Sequence, residues 1–400
     1  MRKTKTHFAF FCVLTLFCIS AGMAHPITPT MIVERSLDSS IFGVAMAAVQ
    51  CTMFLFAPFW GKLCEYIPTR TIITVCVFGY SIGQMIFGSA YSEAMVIGGR
   101  MFAGVFTSGV YTAFSNYTIN TSPDAVLRGK NLTIYLTISS VGDAVGYFIG
   151  GMLGLISIET TFTVQISLLI LAAILFFIFC SDDTEMKAKP TEKLRFGNVN
   201  PFAALLSAKD FLTPMQILIF ALVALGAMGQ FAFEQVFNYY LKDQMGLSSA
   251  YNGIFKAIIA IVGLIANSTI CMWMLKKTDI NRSFIWIVFG CTLPLGLILF
   301  FEKWLIPFAA MDILFFAVNT VRTPLLQNMA AGRARPETSN RVMGFYQSMT
   351  SLGAITGSLF AGLIYDTNEK SPFYFAFLVF VLSCLIAMIY LSKYKKEKQQ

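Results

Sequence analysis

The chain has 400 residues, of which 56% are hydrophobic and only 12% are charged. Soluble domains contain about 25% charged residues, so this composition excludes an ordinary soluble protein and predicts a polytopic membrane protein. The formal net charge of +8 does not indicate a nucleic-acid partner, because Lys and Arg occur in short clusters between apolar runs and form no basic stripe beside aromatic residues.

Twelve apolar runs are long enough to cross a lipid bilayer, which takes about 20 residues in a helix. None of them alternates in the way of a barrel strand, so the predicted fold class is an all-α polytopic membrane protein with twelve transmembrane helices. In chain order, the predicted spans are 8–31, 41–60, 72–91, 95–117, 131–155, 162–180, 214–238, 251–274, 283–301, 304–329, 342–364 and 371–391.

One long polar stretch follows the sixth run and divides the chain into six spans plus six. We predict an N-terminal six-helix bundle at 1–180, a cytoplasmic linker at 181–213, and a C-terminal six-helix bundle at 214–400 that ends in a short basic tail. Most of the 29 Lys and Arg fall in connections on one side of the membrane. We therefore predict a protein of the cell membrane, and the positive-inside rule places that side and both termini in the cytoplasm.

The start of the chain also has the basic, apolar and small-residue pattern of a cleaved signal peptide. Cleavage would leave eleven spans and reverse the side of every loop, against the distribution of positive charge. We therefore expect the first run to be a span.

The two halves of the chain resemble each other, because SVGDAVGYFIGGMLG in span 5 aligns with SLGAITGSLFAGLIY in span 11. Two six-span halves related by a parallel repeat are typical of transporters. Glycines repeated at this spacing also indicate close helix packing. The glycines assigned to packing are Gly104, Gly142, Gly146, Gly150, Gly151, Gly353, Gly357 and Gly362.

The loop after span 2 reads GKLCEYIPTR and resembles the pattern G-x-L-x-D-R-x-G-R-[RK] of the major facilitator superfamily. Gly61 and Arg70 match, and Glu65 replaces the aspartate, whereas Tyr66 and Pro68 depart from the pattern. The resemblance implies a conformational latch formed by Gly61, Glu65 and Arg70, in which an acid near a helix end binds a cation.

Two further motifs extend the resemblance along the chain. GGRMFAGVFTSG in span 4 matches the family's R-x-x-x-G motif at Arg100 and Gly104, and the span 5 glycines fit the G-x-x-x-G-P-x-x-G-G motif of drug exporters, with Tyr147 in place of the proline. The chain most resembles twelve-span drug:proton antiporters of the tetracycline-exporter type. This implies two pseudo-symmetric six-helix bundles and transport by alternating access.

Charged side chains within the spans are candidates for function, because burying a charge in lipid costs several kcal/mol. Asp143 in span 5 and Arg100 in span 4 lie at similar depths, so we expect them to pair and to form the proton-coupling group. Burial favours the neutral acid and the guanidinium favours the carboxylate, a balance that suits a titrating group. A fixed salt bridge joining the two spans is the alternative.

The remaining polar residues of the spans supply candidates for a substrate cavity. Glu234 can pair with Lys256 near the outer ends of spans 7 and 8, or both can extend to the membrane interface. Arg322 can attract an anionic group, and His25 can relay protons or bind carbonyls freed by the nearby prolines. The cavity candidates are His25, Gln50, Glu234, Asn238, Asp312 and Arg322.

Motifs for other energy sources and for catalysis are missing from the sequence. It has no G-x-x-x-x-G-K-[ST] for ATP, no H-E-x-x-H and no G-x-S-x-G. The nine cysteines have no metal-binding spacing, so we expect no enzyme, metal, cofactor or disulfide framework.

The predicted function is therefore proton-coupled efflux of a lipophilic or cationic small molecule by a secondary active transporter. The alternative is a proton-coupled transporter of a metabolite such as a sugar or an organic anion. The expected partners are the substrate, protons and the lipid bilayer, and we expect a monomer.

Overall fold

The computed structural model describes residues 2–37, 41–187, 200–243, 249–301, 304–365 and 368–399, and their regular secondary structure is entirely helical. In chain order, the α-helices are α1 (Arg2–Gly22), α2 (Thr28–Glu34), α3 (Ile41–Tyr66), α4 (Thr69–Gly88), α5 (Glu93–Asn120), α6 (Ala125–Gly154), α7 (Ile158–Phe179), α8 (Pro201–Leu206), α9 (Pro214–Asp243), α10 (Ser249–Ala266), α11 (Met272–Lys277), α12 (Ile280–Phe301), α13 (Leu305–Gly332), α14 (Ser339–Tyr365) and α15 (Ser371–Glu397).

Ten helices among the described residues are long and apolar enough to cross a membrane. The predicted spans 1 and 4 correspond to α1 and α5, which are not among the ten. The apolar part of α1, Phe8–Gly22, is short, because the predicted run 8–31 is interrupted by a turn before α2 begins at Thr28. Pro26 lies in this turn, and proline disfavours a continuous helix. Helix α5 has 28 residues, and its sequence includes Arg100 and several hydroxyl and amide side chains.

The described chain divides into two compact units. The first contains Met1–Pro123, Ile134–Phe211 and Ala334–Ser348, and the second contains Asp124–Thr133, Leu212–Arg333 and Met349–Gln400. The start of α6 thus belongs to the second unit and the start of α14 to the first. The division into halves at the central linker stays a prediction.

Each unit has an aromatic core. In the first unit, the ring of Phe114 lies 5.3 Å from Phe17 and 5.2 Å from Phe176, which joins α5 to α1 and α7. In the second, the buried residues Phe233, Phe315 and Phe373 belong to a cluster that joins α9, α13 and α15. Tilted and edge-to-face pairs of this kind add about 0.5–1.5 kcal/mol each to the effect of burial.

Glycines allow α6 to approach α1 closely within the first unit. A methyl group on Gly142 or Gly146 would overlap Cys18 or Ile19 of α1, and one on Gly150 would overlap Met23 in the turn after α1. The second unit repeats this packing, because a methyl group on Gly353 or Gly357 of α14 would overlap Ala224 or Met228 of α9. Gly104 packs α5 against Val49 and Thr52 of α3 in the same way.

The packing role predicted for Gly151 and Gly362 is wrong. A methyl group on either residue would meet no atom within 4 Å in the described structure. Successive residues of an α-helix point about 100° apart. Gly151 therefore lies off the face of α6 that carries Gly146 and Gly150.

Candidate functional site

Arg100 lies seven residues into α5, in the first unit, and its side chain is buried, with 6% exposure. Its Nη2 atom lies 3.5 Å from the Thr28 hydroxyl oxygen, to which it donates a weak hydrogen bond. The guanidinium carbon lies 3.8 Å from the centre of the Phe87 ring, a cation–π contact. Its Nε atom has no hydrogen-bond partner among the described residues. The contacts of this cation are therefore with neutral groups.

Asp143 is partly buried on α6 in the same unit. Its charge acts on Cys18, Tyr80, Tyr111 and Tyr135. Arg100 also acts on Tyr80, so this tyrosine lies within electrostatic reach of both charged groups. Asp143 is not among the described groups that act on Arg100, and the Arg100–Asp143 pair stays a prediction.

His25 occupies the turn between α1 and α2, where the predicted first span is broken. Its imidazole stacks on the Tyr147 ring of α6, with ring centres 5.4 Å apart and planes 2° from parallel. Tyr147 in turn acts electrostatically on Arg100. Polar and charged groups of α1, α4, α5 and α6 therefore gather in one region of the first unit.

Asp312 is the most isolated acid in the described part of the second unit. Its side chain, on α13, is 0% exposed, and neither carboxylate oxygen has a hydrogen-bond partner among the described residues. Among the described groups, the charge that acts on it is another acid, Glu234 of α9. Sequence reasoning identified both residues but did not place them together.

Arg322, one of the cavity candidates, is held within a polar chain of α13 and α9. Its Nε atom donates to the Asn319 Oδ1 atom at 2.7 Å, and the Asn319 Nδ2 atom donates to the Gln230 Oε1 atom at 2.9 Å. Its guanidinium packs where a side chain on Gly226 would lie. The arginine is therefore positioned by amides and by the absence of a side chain at Gly226.

The predicted latch between Glu65 and Arg70 is wrong, because the cation that pairs with Glu65 is Arg341. The Glu65 Oε1 atom accepts a hydrogen bond from Arg341 Nε at 2.9 Å, and both side chains are largely buried. Arg70 instead lies 3.4 Å from the Asp182 carboxylate. Glu65 lies in the last turn of α3, whereas Arg70 lies in the first turn of the next helix, and the two side chains have partners on different elements. Gly61, also assigned to the latch, meets the backbone of Gly344 in α14.

A second set of contacts holds the α3–α4 connection, and the sequence did not predict it. The Asp183 carboxylate, with no exposure, accepts hydrogen bonds from the Thr69 backbone N–H at 2.8 Å and from Asn120 Nδ2 at 2.7 Å, and a third from the Thr69 hydroxyl. Lys187 Nζ donates to the carbonyls of Cys64 and Ile67 at 2.7 and 2.6 Å. We call Asp183 and Lys187 the connection clamp.

The clamp complements the dipoles of two helices. A carboxylate at the N-terminus of α4 and an ammonium at the C-terminus of α3 are each placed at the end that favours their charge. The acid and the base are four residues apart in SDDTEMK, directly after span 6. That spacing was visible in the sequence, but nothing in it indicated the distant helix ends.

A comparison with known families decides what kind of protein contains these sites. The Major Facilitator Superfamily profile matches residues 10–321 and 313–400. The chain belongs to the major facilitator superfamily. Members of this family are transporters and not enzymes, which confirms the predicted family, the all-α fold and the prediction that the chain is not an enzyme.

Two curated relatives from this superfamily match nearly the whole chain. The quinolone resistance protein NorA of Staphylococcus aureus (strain MSSA476) is 22% identical over 396 residues, which cover 99% of both chains. Multidrug resistance protein 1 of Bacillus subtilis (strain 168) is 22% identical over 370 residues, which cover 90% of this chain and 89% of the relative.

Solved structures from the superfamily share the fold. The human organic anion transporter MFSD10 (TETRAN) has a TM-score of 0.80 at 15% identity, and the match covers 97% of this chain and 100% of the MFSD10 chain. The transporter FucP, in the outward conformation, has a TM-score of 0.74 at 13% identity, covering 97% and 99%. At these identities the likeness shows the major facilitator fold alone.

The structure does not test the predictions made for Gln50, for Asn238 and for the Glu234–Lys256 pair. Gln50 lies partly buried in α3, and its role as a cavity residue stays a prediction. The side chains of Asn238 and Lys256 lie outside the described part of the structure, and the proposed Glu234–Lys256 pair falls there with them.

Proposed function

We propose that this major facilitator protein is a proton-coupled exporter of lipophilic or cationic small molecules that works by alternating access. The full-length similarity to proteins named for quinolone and multidrug resistance supports this proposal. We also propose that the termini are cytoplasmic, as the positive-inside rule predicts. One charge crossing 100 mV of membrane potential supplies about 2.3 kcal/mol, so a proton gradient is a sufficient energy source.

The burial of Asp312 is the observation that carries the proposal. An ionised carboxylate without a hydrogen bond costs several kcal/mol in apolar surroundings. Asp312 has no such partner among the described residues, and its electrostatic neighbour Glu234 is also acidic. A carboxyl group in this position is stable with its proton bound, and it can release the proton when water or a cationic substrate reaches it.

Glu234 contributes to the same coupling in this proposal. Glu234 acts electrostatically on Asp312, and repulsion between two carboxylates adds to the cost of ionising Asp312. A positive charge on an entering substrate offsets that cost. Asp143 with Arg100 is the other proposed coupling group. If it is the one that couples, Asp143→Asn should lose proton-driven transport while substrate exchange continues, and Asp312→Asn should keep both.

The Glu65–Arg341 pair supports a role in conformational change. It joins the end of α3 to the start of α14 beside the close contact of Gly61 with Gly344. Breaking a largely buried ion pair costs several kcal/mol because each charge is left without its partner. We infer that this latch stabilises one state of the transport cycle and separates in the other.

A transport screen in cells tests the proposal. The full chain is expressed in an efflux-deficient host, and the accumulation of a panel of cationic and neutral dyes is measured with and without a protonophore. Asp312→Asn is measured beside the wild type, and Glu397→Gln, at a half-exposed surface position, serves as the matched acid control. We expect reduced accumulation that the protonophore abolishes. Uptake of radiolabelled sugars or organic acids, with no dye exported, would contradict the proposal and favour a metabolite transporter.

A further inference from the structure

The charge of Arg100 is not balanced by an acidic side chain in the way of five other described arginines. Arg35, Arg70, Arg282, Arg333 and Arg341 each lie within 4 Å of an acidic side chain. Arg100 is more deeply buried than most of them, yet its described contacts are a hydroxyl and an aromatic ring. A buried cation of this kind carries a desolvation cost that an anion would offset.

The surroundings of Arg100 are polar in a way that suits an anion. Tyr80, which interacts electrostatically with Arg100, accepts a hydrogen bond from Gln84 Nε2. The Tyr80 hydroxyl also carries a hydrogen that can be donated, so Tyr80 and the guanidinium are two donor groups within electrostatic reach of each other. Arg100 Nε adds a donor that has no described partner. The Thr28 hydroxyl hydrogen is used by the Ala24 carbonyl at 2.7 Å, so Thr28 is an acceptor for Arg100.

The shape of the guanidinium determines which anions fit it. Arginine offers a planar fork of N–H donors that matches both oxygens of a carboxylate, and bonds of this charge-assisted type are about twice as strong as neutral ones. The Phe87 ring occupies one face of the fork at 3.8 Å, so a ligand approaches along the edge that carries the N–H groups. This geometry favours a planar oxyanion.

We propose that Arg100 binds a carboxylate group of the transported compound, with Tyr80 as a second donor. The inference rests on the proposed function and narrows its substrates to amphiphilic compounds that carry a carboxylate beside their lipophilic or cationic body. Arg100 is then a specificity-determining residue in addition to any part it has in coupling.

A matched pair of dyes tests this inference by direct binding. The purified full chain in detergent is titrated into a rhodamine with a free benzoate group and, separately, into its methyl ester, and fluorescence polarisation gives each affinity. The ester keeps the cationic body and removes only the negative charge. Wild-type protein should bind the acid about tenfold more tightly than the ester, the size expected for a charged hydrogen-bonded contact.

Variants at position 100 identify the residue responsible. Arg100→Gln should lose the preference for the acid while binding the ester nearly as well as the wild type does. Arg100→Lys should keep part of the preference, because its point charge lacks the fork. Arg282→Gln removes an exposed arginine and should leave both affinities unchanged. Thermal unfolding of each variant establishes that it is folded.

The outcomes separate this inference from the proposed function. Equal binding of acid and ester by the wild type, binding of neither dye, or an equal loss of both in Arg100→Gln would overturn the carboxylate site. The same dyes are then followed in proteoliposomes with an imposed pH gradient. An acid preference without gradient-driven transport would support the site and contradict proton-coupled export.

Discussion

Asp183 illustrates how one buried side chain can fix a connection between two helices. Its carboxylate accepts three hydrogen bonds, from the Thr69 backbone, the Thr69 hydroxyl and Asn120. Removing a buried acceptor leaves its donors without partners, which costs about 1–3 kcal/mol for each group affected. The connection between α3 and α4 therefore depends on a residue from a distant part of the sequence.

Asp183→Ala should lower the free energy of unfolding by about 2–4 kcal/mol, the range expected for a buried network. Asp182→Ala is the matched control, because the adjacent acid is 44% exposed and its contacts are an ion pair with Arg70 and local hydrogen bonds from Thr184. Exposed pairs contribute about 0–1 kcal/mol. Thermal unfolding in detergent measures both variants, and equal effects would contradict the assigned role of Asp183.

Asp279 is expected to make stability depend on pH. Burial raises its pKa, but hydrogen bonds from Lys398 and Tyr394 outweigh this and hold the pKa below its ordinary value. A lowered folded-state pKa adds stability above the unfolded value of about 4, and this contribution is lost as the pH falls through the folded-state pKa.

The wild type should therefore melt at a higher temperature than Asp279→Asn at neutral pH, and the two melting temperatures should converge in acid. The measurement is thermal unfolding of both proteins at a series of pH values between neutral and strongly acidic. Tyr394→Phe should show a smaller difference of the same sign. A gap that stays constant with pH would mean that the charge of Asp279 does not contribute.

Charged residues inside apolar runs were the part of the site that sequence could identify. Arg100, Asp143 and Asp312 stand out because few ionisable groups occur in such runs. Their partners could not be read in the same way, since Arg341 is far from Glu65 along the chain and its contact depends on how α14 packs. The isolation of Asp312 is also a property of packing rather than of sequence.

At the scale of helices, the glycine faces of α6 and α14 are the clearest packing device. Both helices use glycines four residues apart to approach a partner, α1 in the first unit and α9 in the second. The four-residue spacing predicted this packing because it keeps small residues on one helical face. Gly151 was included because it fits the exporter motif and Gly362 because it aligns with Gly151, and neither reason accounts for the direction in which a residue points.

Gly146→Ala should destabilise the protein by about 1–3 kcal/mol, because the added methyl group would overlap the Ile19 carbonyl and the Gly22 backbone. Gly151→Ala adds the same methyl group where no atom lies within 4 Å. It should leave the melting temperature unchanged or raise it slightly, since alanine favours a helix. The reverse order of stabilities would contradict the packing described for α6.

From the sequence, the prolines of the first span are expected to free backbone carbonyls, but one span is predicted at 8–31 and not the turn that separates α1 from α2. Apolar residues continue from Phe8 to Val33 with few charges, so hydropathy indicates one span. Pro26 disfavours a continuous helix, and the structure has a turn from residue 23 to residue 27. Hydropathy records the length of an apolar segment and does not record whether its backbone remains helical.

At the scale of the whole molecule, the latch pair should respond to an exchange of charges. Glu65→Arg or Arg341→Glu alone places two like charges together and should reduce dye export roughly tenfold. The double variant restores an opposite-charge pair and should recover much of the activity. Export by all three variants is measured in the efflux-deficient host.

Asp182→Arg with Arg70→Asp provides a comparison at the same end of the first unit. That pair is more exposed, so its single variants should have smaller effects on export. The latch would be contradicted if the Glu65→Arg and Arg341→Glu double variant exported no more dye than either single variant. Protein amounts in the membrane must be equal for the comparison to be valid.

Proton movement coupled to substrate movement is the central claim, and proteoliposomes containing a pH-sensitive dye test it most directly. Substrate added on one side should drive protons in the opposite direction with the wild-type protein. Asp312→Asn should abolish this proton movement while exchange of labelled for unlabelled substrate continues. Substrate transport by the wild type without proton movement, or undiminished proton movement with Asp312→Asn, would contradict the account.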